Sequence, residues 1–390
     1  MYGSRERVFK AFRHELPDRT PVFELYWPYH PVHWEVCGQT VATDMRLAWN
    51  ALAEGIAWEE LVEAEAQCDV RMARHFGLDL MHIKCSSPRH YTRPRQLGPD
   101  AWELGGVRYA WNERTKLVEP QGVVSGNWED ANRSEAAFTA AVNSPDFDRF
   151  EVDPAAFARF ERVQELLRAA GDDIVTMAEV GNGTGAAFYP PFMYIWMLET
   201  PELYERWLSR QRRYGQAVTA EFLRRGADVV ALGGDVSGDR GPVISPALYR
   251  QYILPAIREH VDQVHAGGAL AVYTSDGNHW PIRDAFFFES GIDGYKEVDQ
   301  AAGMTMERLL REGVKDRVTI IGNIDARHIL CRGTPDDVRR DVRSCLEWGP
   351  KTPGGHILHT SHSIHEDVPV ANYLALIDEY RRYFGLGSLG

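Results

Sequence analysis

Short apolar runs alternate with longer amphipathic stretches along this chain, and no other feature constrains its fold as strongly. Apolar runs of about four to eight residues suit strands buried on both faces, and amphipathic stretches between them suit helical crossovers of a parallel sheet. Eight strand candidates stand out: Pro21–Trp27, Leu78–Lys84, Ile174–Glu179, Asp228–Gly234, Ala269–Thr274, Ile292–Glu297, Val318–Gly322 and His356–Thr360. The helix signals between them are specific. Thr200 precedes Pro201 at the head of a stretch running to Arg225, and Ser245-Pro246 opens another that runs to about His265 before Gly267-Gly268. Thr334-Pro335 opens a third, and Val370–Phe384 ends at Gly385. Eight strands with helical crossovers predict an α/β fold, a (β/α)8 TIM barrel.

One segment breaks the rhythm. From about Tyr91 to Trp128 polar and apolar residues alternate around Gly105-Gly106 (Trp102, Leu104, Val107, Tyr109, Trp111), which predicts an inserted β-hairpin, or lid, between the second and third barrel strands. No Ser/Pro/Gly-rich linker flanks it, so residues 1–390 are expected to form a single barrel domain carrying this insert at about 91–128.

Composition narrows the partners. The 43 Lys and Arg against 56 Asp and Glu leave a net charge of −13, and the Arg212-Arg213 and Arg224-Arg225 pairs are diluted by acidic neighbours. Such a chain repels a phosphate backbone or an anionic membrane, so nucleic acid is not an expected partner. No stretch of about 18 apolar residues occurs to span a bilayer. The opening Met1–Arg7 has no apolar run, and the five cysteines (37, 68, 85, 331 and 345) include no CxxC pair. A cytoplasmic protein is therefore expected, without a disulfide framework or a cysteine-rich zinc module.

In a parallel barrel, chemistry sits at the C-terminal strand ends. Those ends supply Glu24, Tyr26 and Trp27; His82, Lys84 and Cys85; Glu179; Asp235, with Asp239 and Arg240; Thr274, Ser275, Asp276 and Asn278; Lys296 and Glu297; Asn323 and Asp325; and His359, His362 and His365. So many carboxylates on one mouth repel each other unless a metal, a cationic ligand or raised pKa values relieve them. The competing reading of any single one is a helix cap. The three histidines, spaced by three before Pro369, read as a loop rather than a helix face. With Asp276 and Glu179 one of them completes a His/carboxylate metal site; His362 is favoured, although spacing does not fix which. The run Gly181-Asn182-Gly183-Thr184-Gly185 lacks the lysine of a P-loop and reads as an open βα loop. Phe23, Tyr26, Trp27, Tyr29 and Trp34 either offer flat walls to a ligand or seal the mouth.

Several of these runs together resemble the uroporphyrinogen decarboxylase superfamily: Arg5, Arg7 and Pro17-Asp18-Arg19-Thr20-Pro21-Val22; Gly234-Asp235; Arg240 to Pro246; Thr274 to Asn278; Gly322-Asn323-Ile324-Asp325; and Gly355-His356-Ile357-Leu358. The resemblance covers nearly the whole chain and is weakest at about 91–128. It implies a (β/α)8 barrel and two chemistries. Uroporphyrinogen decarboxylase itself grips its substrate's carboxylates with an arginine-rich loop after the first strand, whereas here that place reads Glu24-Leu25-Tyr26-Trp27-Pro28-Tyr29-His30, without arginine. A tetra-anionic substrate facing Glu24 would bind poorly. The other branch moves methyl groups to or from a corrinoid, a thiol or a pterin. Its thiol-activating members hold zinc through a His-x-Cys pair after strand five and a cysteine after strand eight. Those places fall here on Thr274, Asp276 and about His362, a harder set that with Glu179 suits zinc or another divalent metal, or none.

The resulting expectation is a methyltransferase of the corrinoid-linked branch. It would move a methyl group from a small methylated, aromatic methoxy-type substrate to corrinoid (cobalamin) or tetrahydrofolate. Asp235, Asp276 and His362 are the expected catalytic residues, with Glu179, Asp276 and His362 as the metal set. Glu24, Tyr26, Trp27, Asn278, Glu297, Asn323 and Asp325 are expected around the substrate. The alternatives are a decarboxylase of a non-porphyrin acid and a non-catalytic ligand-binding barrel. A small molecule is the expected partner, with a corrinoid carrier protein and a second copy of the chain as further candidates.

Overall fold

The computed structural model describes residues 2–26, 29–84, 93–123, 134–181, 190–351 and 355–389. Eight parallel strands form one sheet, each hydrogen-bonded to the next in chain order: Phe23–Glu24, Leu80–Lys84, Val175–Gly181, Val229–Gly233, Leu270–Thr274, Gly294–Lys296, Thr319–Ile321 and His356–Ile357. The sheet closes between its first and last members, where Phe23 N donates to Leu358 O at 3.0 Å and Leu358 N to Pro21 O at 2.8 Å. Each strand lies within its expected span except the third, which runs two residues past Glu179 to Gly181, and the α/β barrel is as expected.

Two layers of core follow from the period of two along a strand. One set of side chains fills the lumen: Phe23, Leu80, Met177, Val229, Val272, Ile321 and Ile357. The helix Ser4–Phe12 seals the N-terminal end by adding Val8, Ala11 and Phe12 to that cluster. Gly294 has no side chain because a Cβ there would lie 3.0 Å from the Phe12 ring. The alternate residues pack outward under the helices. Along several strands the next inward position after the apolar one is polar: Leu80 is followed by His82, Met177 by Glu179, Val272 by Thr274 and Ile357 by His359. Two residues of rise therefore carry the lumen from a greasy floor to a polar mouth.

The helices show which capping signals operate. Ser245 accepts from Leu248 N, and Thr334 forms a reciprocal capping box with Asp337 at the head of Pro335–Trp348. Thr200 precedes Pro201–Arg224 but its hydroxyl makes no cap; the Leu203 and Tyr204 amides turn to its carbonyl instead. The stretch after Ser245 is not one helix. A wide-turn segment, Tyr249–Ile253, interrupts it before Leu254–Ala266, where Pro255 has no amide to donate to the preceding turn.

The insert is larger than a hairpin. Arg95–Gly98, Ala101–Leu104, Val107–Asn112 and Leu117–Val123 form a four-stranded antiparallel sheet, with the tight turn at Gly105 (φ 60°) and Gly106 (φ 82°) as expected. Buried Trp102 anchors it to Trp49 of the helix Met45–Glu54 (ring centroids 5.8 Å apart). The outer strands lacked a clear signal because Arg95–Gly98 is polar and exposed and Leu117–Val123 carries Pro120, a residue suited to an edge. No described helix is long and apolar enough to cross a membrane.

Candidate active site at the barrel mouth

Loop packing brings the central acids together. Gly277 has φ +84°, and a Cβ there would sit 2.6 Å from Ser237 O, so only glycine lets the loop after strand five lie against the loop after strand four. Asn278 N then donates to Gly238 O at 3.0 Å, and the Asp276 amide donates to the Asp235 carboxylate. Burial pushes the Asp276 carboxyl up to about 6, with Asp235 as the next cause and Glu297 and Asp299 adding to it; His362 opposes the shift. Asp235 is also raised, by burial first and then by Glu297.

Glu297 is the counterweight. Burial would raise its pKa too, but Lys296, whose Nζ lies 2.8 Å from Glu297 Oε1, and His362 hold it below the ordinary value. Its backbone sits at φ +67°, a conformation that a non-glycine residue adopts only at a cost. One carboxyl thus stays ionised while its neighbours are pushed toward the protonated form, a division of roles typical of acid–base sites.

The loop after strand eight places the third catalytic candidate. Ser361 N donates to Ile324 O at 2.7 Å and Ile364 N to Leu25 O at 2.8 Å, so the segment is stitched between strands seven and one, as a loop and not a helix. His362 faces Asp235, Asp276 and Glu297, and its buried Nδ1 has no hydrogen-bond partner among the described residues. His359 turns elsewhere, its Nδ1 3.0 Å from Glu24 Oε1, whereas the His365 ring packs 5.8 Å from that of His362, with Nε2 3.7 Å from Cys331 Sγ. Asp276 and His362 line a cavity of about 540 Å³ together with Asp299, Arg327, Cys331 and His365.

The remaining expected residues divide. Glu24 is buried and accepts from Thr360 Oγ1 at 2.8 Å and from Leu25 N at 3.0 Å. The Tyr26 hydroxyl is tied to that of Tyr373. Asn323 donates to Met304 O at 3.1 Å, and Asp325 caps His328 N at 2.9 Å, so both serve the scaffold. Asn278 likewise accepts from Trp280 N at 3.1 Å. Trp27, Cys85 and most of the Gly181–Gly185 run lie outside the described residues. Glu179 pairs with His82 (Oε2 to Nε2, 2.7 Å), and among the described residues no three His, Cys, Asp or Glu side chains form a group that could hold a metal ion. Glu179, Asp276 and His362 therefore do not make up a three-donor site as they stand.

Sequence reasoning passed over Asp299 and Arg327. Arg327 bridges Asp239 and Asp299, with contacts of 3.0 Å to each, on the wall facing Asp276. Both follow the strand ends by only two residues beyond Glu297 and Asp325, so reading slightly further into each loop would have found them.

Fold and mouth define a (β/α)8 barrel with an acid–histidine cavity at the C-terminal ends of its strands. The sequence profile of the uroporphyrinogen decarboxylase (URO-D) family matches residues 180–383, more than half of the chain. The chain belongs to that family. It is similar to a uroporphyrinogen decarboxylase of Syntrophotalea carbinolica, 26% identical over 185 residues, 47% of this chain and 49% of that one. It is also similar to the methylcobamide:CoM methyltransferase MtaA of Methanosarcina barkeri, 23% identical over 194 residues, 47% of this chain and 51% of that one. The chain spans about half the length of these curated relatives. A solved methyltransferase from Methanosarcina mazei shares the fold over 98% of this chain and 100% of its own, with a TM-score of 0.64 at 17% identity.

Proposed function

We propose that this barrel transfers a methyl group from a small donor, oxygen- or nitrogen-linked and of aromatic methoxy type, to a corrinoid or tetrahydrofolate acceptor. The observation that carries this reading is the Asp276 carboxyl, lining the cavity and raised to about 6. Breaking a methyl–oxygen or methyl–nitrogen bond puts negative charge on the departing heteroatom, and a carboxyl whose pKa is raised toward neutrality can donate a proton there. Asp235 helps to hold that proton in place, and His362 lies beside both carboxyls. The acceptor supplies the nucleophile. A corrinoid would be presented from outside the mouth, on a carrier protein.

Two features support methyl transfer over porphyrinogen decarboxylation. The loop after the first strand contains no arginine, and Glu24 at the end of that strand is taken up by Thr360 and the Leu25 amide. A polycarboxylate would find no cation there. Zinc or another divalent ion has no part in the reading, since Glu179 is engaged by His82 and the other two expected ligands leave a set short of the three protein donors such sites use.

The test is turnover of methoxylated aromatics with reduced cobalamin, followed by the absorbance of methylcobalamin, in wild type and Asp276→Asn. Methyl transfer that collapses in the variant supports the reading. Carbon dioxide release from a carboxylated substrate without methyl transfer would establish the decarboxylase instead, and binding without turnover a ligand-binding barrel.

A further inference from the structure

We propose that Cys37 and Cys68 form a reversible intramolecular disulfide, which pins the segment after the first barrel strand to the helix Trp58–Phe76. They stand 31 positions apart, and no sequence motif links them. The fold nonetheless places Cys68 Sγ 3.1 Å from Cys37 Sγ, so a move of about 1 Å closes the bond to its normal length near 2.05 Å. Cys37 is the last residue of the helix Val32–Cys37, followed by Gly38 at φ +69°, where a helix end can yield by that distance. Cys68 is central in its helix and buried, while Cys37 is half-buried and reachable from solvent.

The surroundings distinguish the two sulfurs. The Cys68 thiol donates to Cys37, which lowers the Cys37 pKa; Arg71, one turn beyond Cys68, lowers it further, while burial and Asp69 oppose. Cys68 shifts upward. Cys37 is therefore the attacking thiolate and Cys68 the resolving thiol. The other described cysteines have different neighbours: Cys331 lies against His365 and Cys345 against His356.

With hydrogen peroxide as oxidant, the Cys37 thiolate attacks one oxygen, the O–O bond breaks and the departing hydroxide takes a proton to become water. The Cys37 sulfenic acid is then attacked by the Cys68 sulfur. The S–O bond breaks, and the second water leaves with the Cys68 proton. Two thiols and one peroxide become one disulfide and two waters, and a dithiol reductant returns the two electrons and two protons. The consequence is local to the mouth, because the pinned helix carries His33, whose ring packs 5.3 Å from that of Tyr26. Cross-linking residues this far apart also restricts the unfolded chain, so the oxidised protein should melt at a higher temperature.

The experiment treats the full chain with a slight excess of hydrogen peroxide, alkylates remaining thiols and maps peptides without reduction. The expected result is a Cys37–Cys68 cross-linked peptide, a melting temperature raised by several degrees and full reversal by dithiothreitol. Cys37→Ser and Cys68→Ser should each lose both the cross-link and the shift. The proposal is overturned if both cysteines stay alkylatable after peroxide, if Cys37 proceeds to sulfinic acid without a cross-link, or if the disulfides that form join separate chains.

Discussion

Oε1 of Glu24, on the first strand of the closed barrel, and Nδ1 of His359, two residues past the last, lie 3.0 Å apart with side chains 2% and 0% exposed. The contact sits where the sheet meets itself, so it joins the closure of the fold to the floor of the site. Removing the buried Glu24 carboxyl takes away the acceptor of the Thr360 hydroxyl and the Leu25 amide, at a typical cost of about 1–3 kcal/mol. Glu24→Ala should lose stability on that scale in urea unfolding, and Glu24→Gln much less, since an amide can still accept from Thr360. A loss below ~1 kcal/mol in Glu24→Ala would mean that the pair contributes little to closing the barrel.

Asp276 gives the pH dependence its direction. A group that must donate a proton is active below its pKa, so the rate should fall as pH rises through about 6. Stability follows the same sign: a folded-state pKa above the ordinary aspartate value means that the folded form binds the proton more tightly, so ionisation at neutral pH works against the fold. Asp276→Asn should therefore stabilise the protein at pH 7 by roughly 2–3 kcal/mol, with the gain vanishing below about pH 4. Urea titrations across that range, beside the pH–rate profile, check both statements. A rate in Asp276→Asn equal to the wild type would remove the proposed acid.

Arg327 should tune that acid from across the cavity. Its guanidinium interacts with Asp276 and ties down Asp299, one of the groups that raise Asp276. Arg327→Met leaves Asp299 unbalanced, so the pKa of Asp276 should rise further and the alkaline limb of the pH–rate profile should move to higher pH. A profile that stays in place, or moves to lower pH, would show that Arg327 does not act on Asp276.

A surface prediction comes from the capping box. Thr334 and Asp337 satisfy each other's backbone amides at the start of Pro335–Trp348, on the exposed surface. Thr334→Ala should cost about 1 kcal/mol in chemical denaturation and leave catalytic rates unchanged.

Strands such as Val229–Gly233 were legible because they are buried on both faces and so read as uninterrupted apolar runs. Asp235, Asp276 and His362 were legible because strand ends in a parallel barrel converge by construction. Spacing could not say which strand-end polar groups look into the cavity. Asp325 and Asn323 occupy the right positions, yet one caps a short helix and the other reaches the Met304 carbonyl, and both choices depend on loops that pack from elsewhere in the chain. His359 turned away for the same reason, since Glu24 is not near it in sequence. Only tertiary packing decides among neighbours that a linear reading treats alike.

The helix Ser4–Phe12 stoppers the barrel at the end opposite the mouth, with Val8 and Ala11 fully enclosed and Phe12 nearly so. A lumen corked in this way has one doorway. Whatever enters the cavity must leave through the opening by which its co-reactant arrives, so the two cannot pass each other. Traffic must queue: the smaller molecule loads first, the larger one covers it, and departure runs in reverse. Excess of the larger reactant should then block entry of the smaller, and such a traffic jam would be visible in steady-state kinetics as inhibition competitive with the smaller one.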